Sequence, residues 1–99
     1  MDSIESIAFD VLNGYPIKRA AFFGSAARGD MTAGSDIDML IEFLPDTRGI
    51  LFFSLQADLE EAFNRPVDLI TFDALQFEAK EGFKKNVLRD VRIIYERKS

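Results

Sequence analysis

The chain has 99 residues, a length that predicts one domain over residues 1–99. Of these residues 47% are hydrophobic, which is ordinary for a globular protein. Its formal net charge of −5 argues against a domain that coats DNA or RNA, so no direct nucleic-acid binding is expected. The sequence contains neither Cys nor His, which excludes disulfides, thiol catalysis, a His base and imidazole metal ligands. Any metal must therefore be held by oxygen, which favours Mg²⁺, Mn²⁺ or Ca²⁺.

The N-terminal part predicts a helix, a strand and a second, short helix. Apolar residues recur with helical spacing over 3–13, and Ser3 is a candidate N-cap. Residues 17–23 form the apolar run that is typical of a strand buried on both faces, and Gly24 ends it. Residues 25–30 then predict the short helix.

The middle of the chain predicts a strand over residues 36–43 and a longer helix from residue 49 or 50 to 64. Side chains alternate along a strand, so this strand has an apolar face and a face that carries carboxylates. The apolar face has Ile37, Met39, Ile41 and Phe43, and the other face has Asp36, Asp38, Leu40 and Glu42.

The C-terminal part predicts a short strand over residues 67–72 and then a helical region that Asp73 caps and that reaches about Leu88. Residues 91–95 are rich in β-branched side chains and predict a fourth strand, with a continuation of the helix as the alternative. Helices and strands alternate along the chain with short links, which predicts an α/β fold.

No apolar run approaches the ~20 residues that a membrane-spanning helix requires. Residues 1–10 are acidic and lack the basic start of a signal peptide. We therefore expect a cytoplasmic protein that makes no membrane contact.

Asp36 and Asp38 are the first candidates for chemistry, because residues i and i+2 of a strand point to the same side. Two close carboxylates repel each other unless one is protonated or a cation lies between them. Mg²⁺ is usually bound by one or two carboxylates together with water and phosphate oxygens, which fits this pair. The alternative is that Asp36 is a loop residue and Asp38 lies on a solvated strand face. A calcium loop is disfavoured, because the apolar residues 39–41 follow directly.

Gly24 and Ser25 stand between a buried strand and a helix, where glycine allows a ligand to approach the backbone closely. Free N–H groups at a helix start attract phosphate, and the Ser25 hydroxyl adds a further donor. Arg28, one turn later, can reach a phosphate or pair with Asp30. The alternative is a simple helix N-cap, and a Walker A loop is excluded because no Gly-Lys-Ser/Thr follows.

Asp68 lies within a short apolar strand, where a charged side chain is unexpected. If that strand lies beside residues 36–43, Asp68 completes a cluster of three carboxylates. It would then bind a catalytic metal or accept the proton of an attacking hydroxyl. The alternative is an edge-strand Asp that faces solvent.

Together these features resemble the polymerase-beta-type nucleotidyltransferase superfamily, and more closely its small MNT branch of minimal nucleotidyltransferases. The family signature is Gly-Ser, about ten residues, then Asp-x-Asp, with a third carboxylate on a later strand. The similarity extends over residues 23–30, 34–43, 67–71 and 94–96.

The resemblance implies a small mixed β-sheet of about four strands with helices packed on it. It also implies that Asp36, Asp38 and Asp68 hold two Mg²⁺ ions, with Mn²⁺ as an alternative, beside an ATP substrate. Gly24 and Ser25 would hold the phosphates, with Arg28 as a further contact. Outside the motif, Arg48 and Lys80 are weaker candidates for triphosphate contacts, and no residue pattern marks a base pocket. Glu42 lies too far along the strand for the same metals, so we expect it to face solvent or a partner.

Partners follow from the same resemblance. Larger relatives carry extra domains that hold the acceptor, and 99 residues leave no room for one. The acceptor is then expected on another polypeptide, in a homodimer or hetero-oligomer, which suits the ten Phe residues of so small a chain. MNT proteins are commonly paired with HEPN-domain toxins as antitoxins, and some transfer AMP from ATP to a Tyr of the toxin.

The resemblance therefore predicts a protein adenylyltransferase that neutralises a HEPN toxin. Two alternatives remain open from the sequence. One is a non-catalytic antitoxin that acts by forming a complex. The other is a small-molecule nucleotidyltransferase of the aminoglycoside-modifying kind, which would need a second copy to build its acceptor site.

Overall fold

The structure is a computed structural model that describes residues 3–97, and it contains five helices and four strands in this range. The helices are α1 (Ile4–Leu12), α2 (Gly24–Arg28), α3 (Ile50–Phe63), α4 (Phe72–Phe77) and α5 (Glu81–Arg89). The strands are β1 (Ile17–Phe23), β2 (Ile37–Phe43), β3 (Val67–Thr71) and β4 (Arg92–Glu96).

The four strands form one mixed sheet in the order β3-β2-β1-β4. β1 is antiparallel to both β2 and β4, whereas β2 and β3 are parallel. A parallel pair needs a long crossover connection, and α3 supplies it. The α/β class and the small mixed sheet of four strands are therefore confirmed, and residues 92–96 are strand rather than helix.

Helices cover both faces of the sheet. On one face, α1 and α3 pack Leu12, Leu55 and Leu59 against the apolar row of β2. On the other face, Leu75 of α4 and Val87 of α5 pack against β1 and β2. The central strands are therefore apolar on both sides, as the run over residues 17–23 predicted.

Local signals explain where several helices begin and end. The Ser3 hydroxyl accepts a hydrogen bond from the Ser6 backbone N–H at 3.2 Å, which confirms it as the N-cap of α1. α2 ends at Gly29 and α3 at Asn64, both in the left-handed conformation that Gly and Asn tolerate best. No helix of the described residues is long and apolar enough to cross a membrane.

The prediction of one helical region from Asp73 to about Leu88 is wrong. α4 and α5 are separate helices, and the backbone of Lys80 is extended where α5 begins. The cap of α4 is Thr71, whose hydroxyl accepts from the Ala74 N–H at 3.0 Å, so Asp73 lies in the first turn instead. The break allows apolar residues of both helices to reach the same face of the sheet.

Candidate active site

The parallel pairing of β2 and β3 places Asp38 directly opposite Asp68. Asp38 is half-buried and Asp68 is exposed. The condition set by the sequence, that the strand of Asp68 lies beside the strand of Asp38, is therefore met. Asp36 is exposed and comes one residue before β2, so it belongs to the entrance of the strand rather than to the strand itself.

Gly24 lies against the Asp38 carboxylate. The last residue of β1, Phe23, pairs with Asp38 across the sheet, and α2 begins immediately afterwards. Gly24 has a φ of +61°, and a Cβ at this position would lie 2.5 Å from Asp38 Oδ2. Only glycine meets both conditions, because it tolerates a positive φ and has no Cβ. The turn and the carboxylate therefore form one site.

The alternative interpretation of Ser25 as a simple helix cap is wrong. The N-cap position of α2 is Phe23, and no side chain caps this helix within the described part of the chain. The Ser25 backbone carbonyl accepts from the N–H groups of Gly29 and Asp30, at 2.9 and 3.2 Å. Its hydroxyl is therefore not used to cap α2, and its role in phosphate binding stays a prediction.

Arg28 is held by carboxylates at the edge of the site. Its Nε donates to Asp30 Oδ2 at 3.1 Å and its Nη1 to Asp90 Oδ2 at 3.2 Å. The predicted pairing with Asp30 is confirmed, whereas the contact with Asp90 was not foreseen. Since Asp90 is the C-cap residue of α5, this ion pair joins α2 to the end of that helix.

The carboxyl group of Asp38 is harder to ionise than an ordinary aspartate. Burial, followed by the charges of Asp68 and Asp36, raises the pKa of Asp38 from 3.8 to about 6, and Arg28 opposes this shift. A carboxylate that is costly to ionise among other carboxylates is stabilised by a cation.

The donor set fits Mg²⁺, which takes one or two carboxylates and completes its coordination with water and phosphate oxygens. Over residues 3–97 the structure contains no group of three or more acidic side chains arranged as a metal cage. The structure places Asp38 opposite Asp68, and Asp36 is near enough to raise the pKa of Asp38. The assignment of all three to metal binding stays a prediction.

Glu42, Arg48 and Lys80 are the remaining charged candidates. Glu42 accepts from Arg19 Nε at 2.6 Å and lies 3.8 Å from Lys18 Nζ, so it is engaged within its own chain. The Glu42 side chain is still 31% exposed, so the expectation that it faces solvent or a partner stays a prediction. Arg48 follows the end of β2 that is remote from Asp38, and Lys80 forms the N-cap of α5.

The sequence did not reveal a pocket of about 310 Å³ beside Asp38. Phe23, Gly24, Arg28 and Asp38 form one side, and α5 forms the other with Phe83, Asn86, Val87 and Arg89. The prediction of one helical region from Asp73 to about Leu88 does not place the residues of α5 beside Asp38. Their spacing of three and four residues, which places side chains on one helix face, was the available signal.

Comparison with known proteins gives a family match and several related sequences. The family model for polymerase beta nucleotidyltransferases matches residues 8–99. The protein adenylyltransferase MntA of Thermococcus cleftensis is 30% identical over 95 residues, which cover 92% of this chain and 92% of that protein. A candidate protein adenylyltransferase of Methanocaldococcus jannaschii is 43% identical over 61 residues, covering 62% of this chain and 71% of its own.

Solved structures share the fold. A toxin–antitoxin structure with AMP-PNP has a TM-score of 0.72 at 21% identity and covers 94% of this chain and 73% of its own. A tri-AMPylated HEPN toxin of Shewanella oneidensis in complex with an MNT antitoxin has a TM-score of 0.65 at 18% identity, covering 95% and 71%. The family match over residues 8–99, together with the Gly24–Asp38–Asp68 geometry, shows that the chain belongs to the polymerase beta nucleotidyltransferase family.

Proposed function

We propose that this nucleotidyltransferase transfers AMP from ATP to a tyrosine hydroxyl of a HEPN-domain toxin and so acts as its antitoxin. The observation that carries the proposal is the contact of Gly24 with the Asp38 carboxylate, directly opposite Asp68. A phosphate turn and a carboxylate pair then face the same point. The relative MntA, named a protein adenylyltransferase, and the AMPylated HEPN toxin complex support AMP and this partner.

In the proposed reaction, the acceptor oxygen forms a bond to the α-phosphorus of ATP. The bond from that phosphorus to the oxygen bridging to the β-phosphate breaks, and pyrophosphate leaves. Gly24 and Ser25 position the triphosphate, and Arg28 faces its charge. Asp68, the exposed member of the pair, holds a metal or takes the proton of the attacking hydroxyl. The protein therefore contributes mainly orientation and charge.

Asp36, Asp38 and Asp68 would hold Mg²⁺ or Mn²⁺, two ions in the proposed arrangement. When bound, these ions supply positive charge that stabilises the attacking and leaving oxygens. In the chain alone, burial and the charges of Asp68 and Asp36 raise the pKa of Asp38 to about 6, and a bound cation would favour its ionised form.

The test is AMP transfer to the partner. The chain is incubated with Mg²⁺, labelled ATP and the HEPN protein, whose intact mass is then measured. We expect a gain of one or more AMP units, and the loss of this gain in the variant Asp36→Asn/Asp38→Asn. A matched control is Asp46→Asn, which removes an exposed carboxylate beyond the opposite end of β2 and should retain transfer.

A second outcome of the same experiment would contradict the proposal. A tight complex that forms with both the native chain and the double variant, without any gain in mass, would show that neutralisation occurs by occlusion. Phenylalanine has no hydroxyl group and cannot accept AMP. Replacing each Tyr of the HEPN protein by Phe in turn therefore identifies the acceptor as the residue whose replacement abolishes the gain in mass.

A further inference from the structure

One wall of the pocket beside Asp38 is formed by α5, which supplies neither the carboxylates nor the phosphate turn. Phe83, Asn86 and Arg89 of α5 line this wall. Ligand pockets begin at roughly 300 Å³, and this one measures about 310 Å³. It therefore has room for part of a nucleotide next to the residues that would hold the phosphates.

Phe83 offers an aromatic surface in this pocket. Phe83 is 43% exposed, so part of its side chain is accessible to a ligand in the pocket. The ring meets the buried Phe23 at a centroid distance of 6.4 Å and an interplanar angle of 89°. This edge contact fixes the orientation of Phe83 and leaves part of its ring open. Flat bases stack on such rings whatever their identity.

Asn86 supplies the polar group. It is exposed and lies three residues after Phe83, so both side chains occupy one face of α5. Its amide has a donor and an acceptor, which match N7 and the N6 amino group of adenine. Guanine presents two acceptors at the same edge and does not match this pair of groups.

The wall of α5 is also fixed in position. Arg28 of α2 donates to Asp90 at the end of α5 at 3.2 Å, so the helix is tied to the segment that begins with Gly24. Val87, which is 2% exposed, anchors the C-terminal half of α5 against the sheet. A ligand between the two helices would therefore meet a preformed surface.

We propose that this pocket holds the nucleoside part of the substrate, with the base on Phe83 and its adenine edge read by Asn86. The inference rests on the proposed function, because Gly24 and Asp38 must hold the phosphates for the base to reach α5. It assigns to α5 the choice of ATP over GTP.

Equilibrium binding separates the contributions of the base and the phosphates. ATP, GTP and inorganic tripolyphosphate are titrated in Mg²⁺ into the native chain and its variants by calorimetry. Phe83→Ala should weaken ATP and GTP alike, by about tenfold, because stacking ignores base identity. Asn86→Ala should weaken ATP by about tenfold and GTP far less. Neither variant should change tripolyphosphate binding.

Two further variants serve as controls. Phe83→Leu keeps an apolar contact with Phe23 but removes the ring, so it should lose nucleotide affinity while its melting temperature stays near the native value. Gln76→Ala removes an exposed amide of α4 that lies outside this pocket, and it should bind all three ligands normally.

An unchanged preference for ATP over GTP in Asn86→Ala would overturn the proposal. Weaker binding of tripolyphosphate, to the same extent as ATP, would also overturn it. The same holds if the variants bind ATP normally but bind the acceptor protein weakly, since the pocket would then hold the acceptor. Failure of the proposed function gives a different result, in which the native chain binds ATP and transfers no AMP.

Discussion

Gly24 is the residue whose replacement tests the site most directly. Gly24→Ala adds a methyl group 2.5 Å from Asp38 Oδ2 and forces alanine to a φ of +61°. Backbone strain of this kind costs about 1–3 kcal/mol, and the clash displaces the carboxylate as well. We expect a lower free energy of unfolding in urea and a loss of ATP binding.

Gly29 provides the matched control for this substitution. Its φ is +79°, but a Cβ there would meet nothing within 4 Å. Gly29→Ala should therefore show the stability loss from backbone strain and keep ATP binding. Equal loss of binding in both variants would mean that strain in α2, and not contact with Asp38, explains the effect.

Asp38 makes the stability of the apoprotein depend on pH in a defined window. Its pKa in the folded chain is about 6, against an ordinary value of 3.8, so the folded state binds more protons between these values. The contribution of Asp38 is therefore present below about pH 4 and is lost as the pH rises through 6. In EDTA, Asp38→Asn should raise the melting temperature at pH 7, and this gain should vanish toward pH 4.

Asp68→Asn tests the cause of that shift. Burial contributes most to the raised pKa of Asp38, and the charge of Asp68 comes second. Removing that charge should move the pH window of Asp38 to lower values without abolishing it. If the pH window of Asp38 were unchanged in Asp68→Asn, this result would contradict a close approach of the two carboxylates.

At the level of elements, alternation and turn signals were sufficient to predict the strands. β1 is found at the predicted residues 17–23, and β2 begins one residue later than predicted, which leaves Asp36 outside it. The sequence predicted that Asp38 and Asp68 would meet if their strands were neighbours, and the structure shows that they are. The pattern of a sequence indicates which residues form strands but not which strands lie side by side. That choice depends on the crossover through α3.

The boundaries of the two helices after β3 could not be predicted from the sequence. Thr71 and Asp73 are both plausible caps, and the hydroxyl of Thr71 is the group that bonds the Ala74 N–H. The break between α4 and α5 has neither Gly nor Pro at residues 78–80, and Gly82, just inside α5, is the nearest local signal. The break arises from packing, because Leu75 and Val87 both reach one face of the sheet. Because α5 is a separate helix, its residues can form one wall of the pocket beside Asp38.

For the whole molecule, the abundance of Phe has a partial explanation. Phe53 and Phe77 are 68% and 75% exposed, and Phe9 and Phe83 are also exposed. They lie on four different helices, so they do not define a single surface by sequence position alone. The expectation that some Phe side chains exceed the capacity of the core is met, and their contact with a partner stays a prediction.

Nucleotide binding should stabilise the whole domain through the site that joins β1, β2, β3 and α5. A ligand present at 100 times its dissociation constant adds about 2.7 kcal/mol to the free energy of unfolding. In a domain of this size each kcal/mol raises the melting temperature by roughly 4–8 °C, so ATP at this excess, with Mg²⁺, should raise it by about 11–22 °C. Thermal unfolding measured with and without the nucleotide gives this shift.

Asp38→Asn should lose most of the ATP-dependent rise, because the half-buried carboxylate opposite Asp68 can no longer neutralise a bound cation. Gln76→Ala, outside the pocket, should keep it. A full rise in Asp38→Asn would place the nucleotide elsewhere on the molecule. The same variant should thus be more stable than the native chain in EDTA and less stable in saturating ATP and Mg²⁺, a reversal that a merely structural carboxylate would not produce.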